Sequence, residues 1–373
     1  MSVYFTPQEL AHYARQINLL EIGEAGQYKL KQSRVLCVGA GGLGSAAMMY
    51  LTAAGIGTIG IIDDDHVDVS NLHRQLLYSY TDIGCKKVVV AQTKLRQLNP
   101  DTNLIIYDTQ LNRTNALTII NEYDVIIDGS DNFATRFVVN DACFQLSKPH
   151  VYASISRFLG QCSVFTMKNG PCFRCLFDKK PPADFIPNCA ESGVLGVLPG
   201  IMGSIQATEA IKIILGVGQL LVGRLLLFNA LNMQFNEFSF KPDPACRLCQ
   251  YQEAFSSLSH DETPSCVASS YEITVSELQT LQQQGEFFLL VDVREPFEYE
   301  ICHLQGKLIP LNDLPKRLSE LDRNQFIILY CKYGERSKQA VHLLTEHHFT
   351  HVRSLKGGIM AWIEQIEPCM QRY

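Results

Sequence analysis

The chain has no surplus of positive charge. Its 38 Asp and Glu outnumber its 32 Lys and Arg for a formal net charge of −6, which argues against a broadly basic surface for direct nucleic-acid binding. Residues 1 to 30 lack the basic-then-apolar layout of a secretory signal, and Phe5 to Tyr28 reads instead as polar, amphipathic helix. No apolar stretch is long and clean enough for a bilayer. The richest, Val194 to Phe228, is interrupted by Pro199, Glu209, Lys212 and Arg224 and reads as buried helix and strand, so no membrane partner is expected. Repeats of the solenoid kind are missing too. Cysteine, by contrast, is plentiful: 13 of them without an export layout point to thiols, metal and catalysis in a reducing, cytoplasmic setting rather than to a disulfide framework.

At 373 residues and 46% hydrophobic content, the chain fills two ordinary cores more readily than one large one. The polar, weakly periodic segment Tyr251 to Ser270 reads as a linker whose flexibility lets one domain visit the other. The expected layout is residues 1–250 as a nucleotide-binding domain, 251–270 as linker and 271–373 as a small α/β domain.

Arg34 to Val38 forms a short apolar strand, after which Gly39-Ala40-Gly41-Gly42-Leu43-Gly44 turns into a helix through Ala54. A second strand, Thr58 to Ile62, ends at Asp63. Strand, glycine turn, helix and acid in this order form the dinucleotide-binding fingerprint: glycines admit a phosphate to the helix N-terminus and the acid reaches a ribose hydroxyl. The fingerprint alone does not choose between NAD and ATP. Asn71, Arg74 and Lys87, clustered after Asp63-Asp64-Asp65, supply donors for a triphosphate and for the charge that builds on departing pyrophosphate, which favours ATP. Singly, Arg74 would read as a surface ion pair and Lys86 or Lys87 as a solvated helix start. A further strand, Val125 to Asp128, leads into Gly129-Ser130-Asp131-Asn132 and a helix containing Arg136. Residues at such strand ends face the ligand crevice, so Asp131 is the preferred magnesium ligand, with Asp128 as its rival or as a cap for the turn.

Cys172-Phe173-Arg174-Cys175 and Cys246-Arg247-Leu248-Cys249 are two Cys-x-x-Cys pairs. Four thiolates in two knuckles match a closed, tetrahedral structural zinc site. Cys189, in the loop-like run Pro187 to Gly193, reads as an exposed thiol, while Cys37, Cys85, Cys143, Cys162, Cys266, Cys302 and Cys369 read as ordinary cysteines.

Gln325 to Tyr330 is a buried strand delivering Cys331, followed by Lys332-Tyr333-Gly334-Glu335-Arg336, with a helix expected from Ser337 through Glu346. A short loop between strand and helix turns backbone N–H groups inward as a nest for an anion, and Arg336 adds charge, so Cys331 is a candidate nucleophile; a buried strand-end cysteine is the plain alternative. A second strand, Phe287 to Val293, ends in Asp292-Val293-Arg294-Glu295, and Leu355 to Trp362 follows a third.

These last three stretches resemble a single rhodanese domain over Tyr271 to Tyr373. The resemblance implies that Cys331 carries a persulfide. Arg15-Gln16, the glycine run, the Asp63 and Asp65 pair, Ser70-Asn71-Leu72-His73-Arg74-Gln75, Lys87 and Asp131-Asn132 resemble the MoeB/ThiF family, relatives of ubiquitin-activating enzymes, over about residues 4 to 250. The fold so implied is α/β: a Rossmann-like adenylating domain with a mainly parallel sheet and structural zinc, then a small α/β rhodanese domain. Whole-chain resemblance is to MoeB/ThiF proteins fused to rhodanese, including those of eukaryotic molybdenum-cofactor synthesis. It implies ATP- and magnesium-dependent adenylation of the C-terminal glycine of a ubiquitin-like sulfur carrier ending in Gly-Gly, and a persulfide donor such as a cysteine desulfurase. The same resemblance places Asp63 at the ribose, Asp65 and Asn71 at the nucleotide, Arg74 and Lys87 at phosphates, and Arg15 in the partner subunit's site of a homodimer. It also gives Cys189 a part in a thioester, acyl disulfide or disulfide with Cys331. Asp64, between two acids where relatives carry an apolar residue, departs from the pattern. Carrier activation for protein conjugation, with the rhodanese part only docking partners, and an NAD-dependent oxidoreductase are the competing readings. The pathway stays open among molybdopterin, thiamine, cysteine and tRNA thiolation.

Overall fold

The computed structural model describes residues 5–168, 170–177, 193–255 and 271–372. The chain divides into two compact units, Met1–Asp261 and Glu262–Tyr373.

The first unit is built on an eight-stranded sheet in the order β3-β2-β1-β4-β5-β6-β7-β8. Strands β1 (Arg34–Val38), β2 (Thr58–Ile62), β3 (Asn103–Tyr107), β4 (Val125–Asp128) and β5 (His150–Ser156) run parallel. Strands β6 (Leu159–Phe165), β7 (Arg224–Asn229) and β8 (Gln234–Ser239) extend the sheet antiparallel, so it is mixed rather than wholly parallel. The β2 sequence Thr-Ile-Gly-Ile-Ile is buried at every position, as a parallel strand covered on both faces must be. Along β1 the side chains alternate: Val35 and Cys37 join one core, Leu36 and Val38 the other.

Helices α3 (Gly42–Ala53) and α8 (Leu198–Leu215) cover the first of these faces together, and Gly203 lets them approach, since a Cβ there would sit 2.4 Å from the Leu43 carbonyl oxygen. Helices α5 (Ala116–Asn121) and α6 (Phe133–Gln145) pack on the other face through residues such as Ile120, Val138 and Val139. The chain leaves β1 to build β2 and β3 on one side, then returns to build β4 and β5 on the other. That reversal opens a crevice beyond the carboxyl ends of β1 and β4.

The N-terminal segment forms two helices where a single amphipathic one is expected from sequence. Helix α1 (Pro7–Ile17) starts at a Thr6/Glu9 capping box, and α2 (Gly23–Gln32) starts at Gly23, whose φ of +58° breaks the run.

The second unit is a five-stranded parallel sheet in the order β11-β10-β12-β13-β9. Its strands are β9 (Glu272–Ile273), β10 (Leu289–Asp292), β11 (Lys307–Leu308), β12 (Ile327–Tyr330) and β13 (Val352–Leu355). The central strand β12 is buried throughout and feeds both faces, Ile327 and Leu329 one core, Ile328 and Tyr330 the other. Its helices are α9 (Val275–Gln284), α10 (Pro296–Ile301), α11 (Glu335–Glu346) and α12 (Gly358–Gln365). Arg294 and Asp292 form a fully buried pair at 2.6 Å, and Arg294 also donates to the Cys302 carbonyl at 2.7 Å. Both charges are thereby compensated inside the fold. Among the described residues no helix is long and apolar enough to cross a membrane.

Candidate active site

The crevice beyond β1 and β4 is a cleft of about 370 Å³. Its walls include Gly39, Gly41, Gly42, Asp63, Asp65, Arg74, Lys87 and Asp131, gathering most of the nucleotide-site residues expected from sequence. The glycines divide by cause. A Cβ on Gly44 would lie 2.0 Å from the Gly39 carbonyl oxygen, so helix α3 can sit this close to β1 only with glycine there. Gly39 has a φ of +91°. At Gly41, however, the nearest protein atom to a Cβ is Gln75 Nε2 at 3.8 Å, so packing does not require glycine at this position. What it leaves free is the approach of a ligand to the first N–H groups of α3, which an α-helix cannot satisfy itself.

Asp63, at the end of β2, accepts from the Ala40 N–H at 2.7 Å and the Asp65 N–H at 2.9 Å, which ties the glycine turn to the acid. Burial raises its carboxyl above the usual range, against the pull of the Lys87 charge and those two amides. Lys87 opens helix α4 (Lys87–Leu98), is buried at 5% exposure, and reaches Asp65 at 2.7 Å. Arg74 donates to the Ser70 carbonyl at 2.7 Å, which fixes the guanidinium at the cleft wall.

At β4 the two rival acids separate. Asp128 is fully buried and occupied: Ser130 Oγ and N–H donate to Oδ1 at 2.6 and 3.0 Å, and His150 Nε2 lies 3.2 Å from Oδ2. Burial would raise its carboxyl, yet His150, Arg136 and Ser130 together hold it below the usual range. Asp131 is exposed on the cleft.

The four paired cysteines converge. Cys172 Sγ lies 3.8 Å from Cys175 Sγ and 3.6 Å from Cys246 Sγ, while Cys175 and Cys249 are 3.3 Å apart. Four sulfurs around a tetrahedral zinc at its usual bond length stand about 3.8 Å from one another. The donor set and spacing therefore fit a metal, and these four residues are the ones that could hold it. Short helix α7 (Phe173–Leu176) carries the first knuckle and is docked on α6. The Phe173 N–H donates to Asn140 at 2.7 Å, and Arg174 grips Asp141 with two bonds of 2.8 and 2.7 Å.

In the second unit Cys331 follows β12 at the N-terminal end of α11. The thiol is 1% exposed, and the Gly334 N–H donates to its sulfur at 3.1 Å. Gly334 caps α11 with a φ of +104°, so the helix starts at Glu335, two residues earlier than the sequence suggests. The loop carbonyls are held in turn by α12: the Ile359 N–H donates to Cys331 and the Met360 N–H to Lys332. Arg336 is not a free counter-charge for the sulfur, because Glu298 of α10 accepts two bonds from it at 2.5 and 2.7 Å.

Residues 13–248 match the ThiF family, and residues 274–365 match the rhodanese-like domain. The chain belongs to the ThiF family. It is an adenylyltransferase/sulfurtransferase of the ThiF type fused to a rhodanese-like domain, and its similarity to such proteins runs end to end. It is 39% identical to the probable adenylyltransferase/sulfurtransferase MoeZ of Mycobacterium tuberculosis, over 98% of this chain and 96% of that protein. It is 41% identical to a probable molybdopterin-synthase adenylyltransferase of Porphyra purpurea, over 96% and 94%. Among solved structures, Escherichia coli MccB with ATP superposes with a TM-score of 0.54 at 22% identity, over 60% of this chain and 68% of that one. At this identity the likeness is one of fold.

Not every expected residue of this ThiF-family site reaches the cleft. Asn71 ends a short 3₁₀ turn and accepts from the Asp68 N–H, away from the cleft lining. Arg15, expected at a partner subunit's site and not at this cleft, is exposed on the last turn of α1. Cys189 lies outside the described residues, as does most of the expected linker. Gln75 and Arg136 line the cleft although sequence reasoning assigned them no role. Both are buried, and Gln75 Oε1 and Arg136 Nε have no hydrogen-bond partner among the described residues. The signal available in sequence was position: Gln75 directly follows Arg74, and Arg136 sits one turn into α6, beside the Gly129–Asn132 turn.

Proposed function

We propose that this protein adenylates the C-terminal glycine of a small ubiquitin-like sulfur carrier ending in Gly-Gly, and then replaces the activating group with sulfur from a persulfide on Cys331. The observation that carries this reading is the pairing, in one chain, of a ligand-ready glycine turn with a buried cysteine at a helix N-terminus. ATP places its phosphates at Gly39 to Gly44, with the ribose at Asp63, and Arg74 and Lys87 meet the charge that develops on pyrophosphate. The unpartnered polar atoms of Gln75 and Arg136 add two further contacts to the nucleotide or the acyl group. Asp131 would hold magnesium, which neutralises phosphate charge, since Asp128 is already committed to His150 and Ser130. The four cysteines would hold zinc, and their role is structural because the shell is closed. Asn71 adds a contact to the nucleotide, and a homodimer brings Arg15 to the partner's site.

The carrier carboxylate attacks the α-phosphate and releases pyrophosphate. The terminal sulfur of the Cys331 persulfide then attacks the acyl carbon, AMP leaves, and the carrier is held as an acyl disulfide. The Cys189 thiolate attacks the Cys331 sulfur of that disulfide, freeing the carrier thiocarboxylate and leaving a Cys189–Cys331 disulfide for a thiol reductant. A cysteine desulfurase supplies the persulfide. The relatives' link to molybdopterin synthase supports a carrier of that pathway.

Carrier-dependent ATP–pyrophosphate exchange tests the first half. Exchange without any carrier thiocarboxylate would leave activation for conjugation as the function, and NAD turnover without exchange would leave an oxidoreductase.

A further inference from the structure

Beneath the Cys331 sulfur lie two buried hydroxyls that no step above uses. Ser337, in the first turn of α11, has its Oγ 3.6 Å from Cys331 Sγ, 2.9 Å from the Gly334 carbonyl oxygen and 2.8 Å from Ser354 Oγ. Ser354, on β13, also lies 3.4 Å from the Gly334 carbonyl. Both are essentially inaccessible, with 0% and 1% exposure, so the pair exchanges hydrogen bonds with the loop and not with water.

Two hydroxyl protons serve this cluster, and they have two arrangements. With sulfur uncharged, Ser337 donates to the Gly334 carbonyl and Ser354 donates to Ser337. With negative charge on sulfur, Ser337 turns to donate to Cys331 Sγ while Ser354 still donates behind it. The turn strands no acceptor, because the Gly334 carbonyl keeps the Lys338 N–H at 3.1 Å. A hydrogen bond to an anion is stronger than one to a neutral carbonyl, so the second arrangement wins when charge arrives. Arg336 cannot take that part unaided, since Glu298 holds it.

We propose that Ser337, oriented by Ser354, is a catalytic residue of sulfur transfer that stabilises Cys331 Sγ as it departs from the persulfide. The inference rests on Cys331 as the sulfur carrier. In the loading half, the Cys331 thiolate attacks the outer sulfur of thiosulfate, forming a persulfide and releasing sulfite. In the delivery half, a nucleophile such as cyanide takes the outer sulfur as thiocyanate, and the S–S electron pair returns to Cys331 Sγ. A leaving thiolate that is better stabilised leaves faster, whereas an attacking thiolate so stabilised becomes less nucleophilic, so the hydroxyl favours delivery over loading.

The test is single-turnover thiosulfate-to-cyanide transfer in the full-length chain, with loading and delivery timed separately. Ser337→Ala is expected to slow delivery about tenfold, the effect of losing one hydrogen bond to a charged group, with loading changed less. Ser337→Thr restores delivery, and Ser354→Ala falls between. Delivery at the wild-type rate in Ser337→Ala overturns the proposal, and so does an equal loss of both halves without rescue by threonine, which is the signature of packing alone. Should Ser337→Ala fail to fold, wild-type delivery in Ser354→Ala overturns it. Transfer that persists in Cys331→Ala sinks the reading of Cys331 itself, a separate failure.

Discussion

Single positions in the glycine turn separate ligand binding from folding. Gly41→Ala meets no protein atom closer than 3.8 Å, so the variant is expected to keep the wild-type melting temperature while its KM for ATP in pyrophosphate exchange rises at least several-fold. Gly44→Ala drives a Cβ to 2.0 Å from the Gly39 carbonyl and is expected to lower the melting temperature as well. Equal melting temperatures for the two would contradict this division. Glu298 and Arg336 form a largely buried bidentate pair, so Arg336→Ala, which strands the carboxylate, is expected to cost about 3 kcal/mol in chemical denaturation. The Cys331 motif was legible residue by residue, but its arginine's partner was not, because Glu298 arrives from 38 positions away. Gln75 and Arg136 were missed for the same reason: a burial that leaves one polar atom unpartnered is a property of packing, and no spacing rule reports it.

At the level of elements, the strands carried the clearest signal. Buried parallel strands read as apolar runs in any sequence, and the glycine turn, its helix and the acid at the end of β2 follow in the expected order. Helix edges were less legible. One amphipathic pattern spans α1 and α2, yet a turn over residues 18–22 and the positive φ at Gly23 divide them; α11 gains two residues because Gly334 caps it from within the loop. The two cysteine knuckles come from α7 and from residues 246–249, brought together by the anchoring of α7 on α6 through Asn140 and Asp141. Removing metal with a strong chelator is expected to lower the melting temperature of the first unit and to release one zinc per chain, measured by atomic absorption. Full retention of stability in metal-free protein would contradict a structural zinc.

Over the whole chain, the two units have separate cores, and the ThiF and rhodanese matches fall within them. Damage to one core should therefore spare the other's chemistry. Leu329→Ala, at a fully buried position of β12, is expected to cost the second unit about 2–5 kcal/mol, abolishing sulfur transfer while carrier-dependent pyrophosphate exchange continues. The most direct measurement is the mass of the carrier after incubation with ATP, a persulfide donor and Cys331→Ala protein. The account predicts undiminished pyrophosphate exchange and no replacement of oxygen by sulfur at the carrier's terminal carboxylate; normal thiocarboxylate formation by this variant would contradict it.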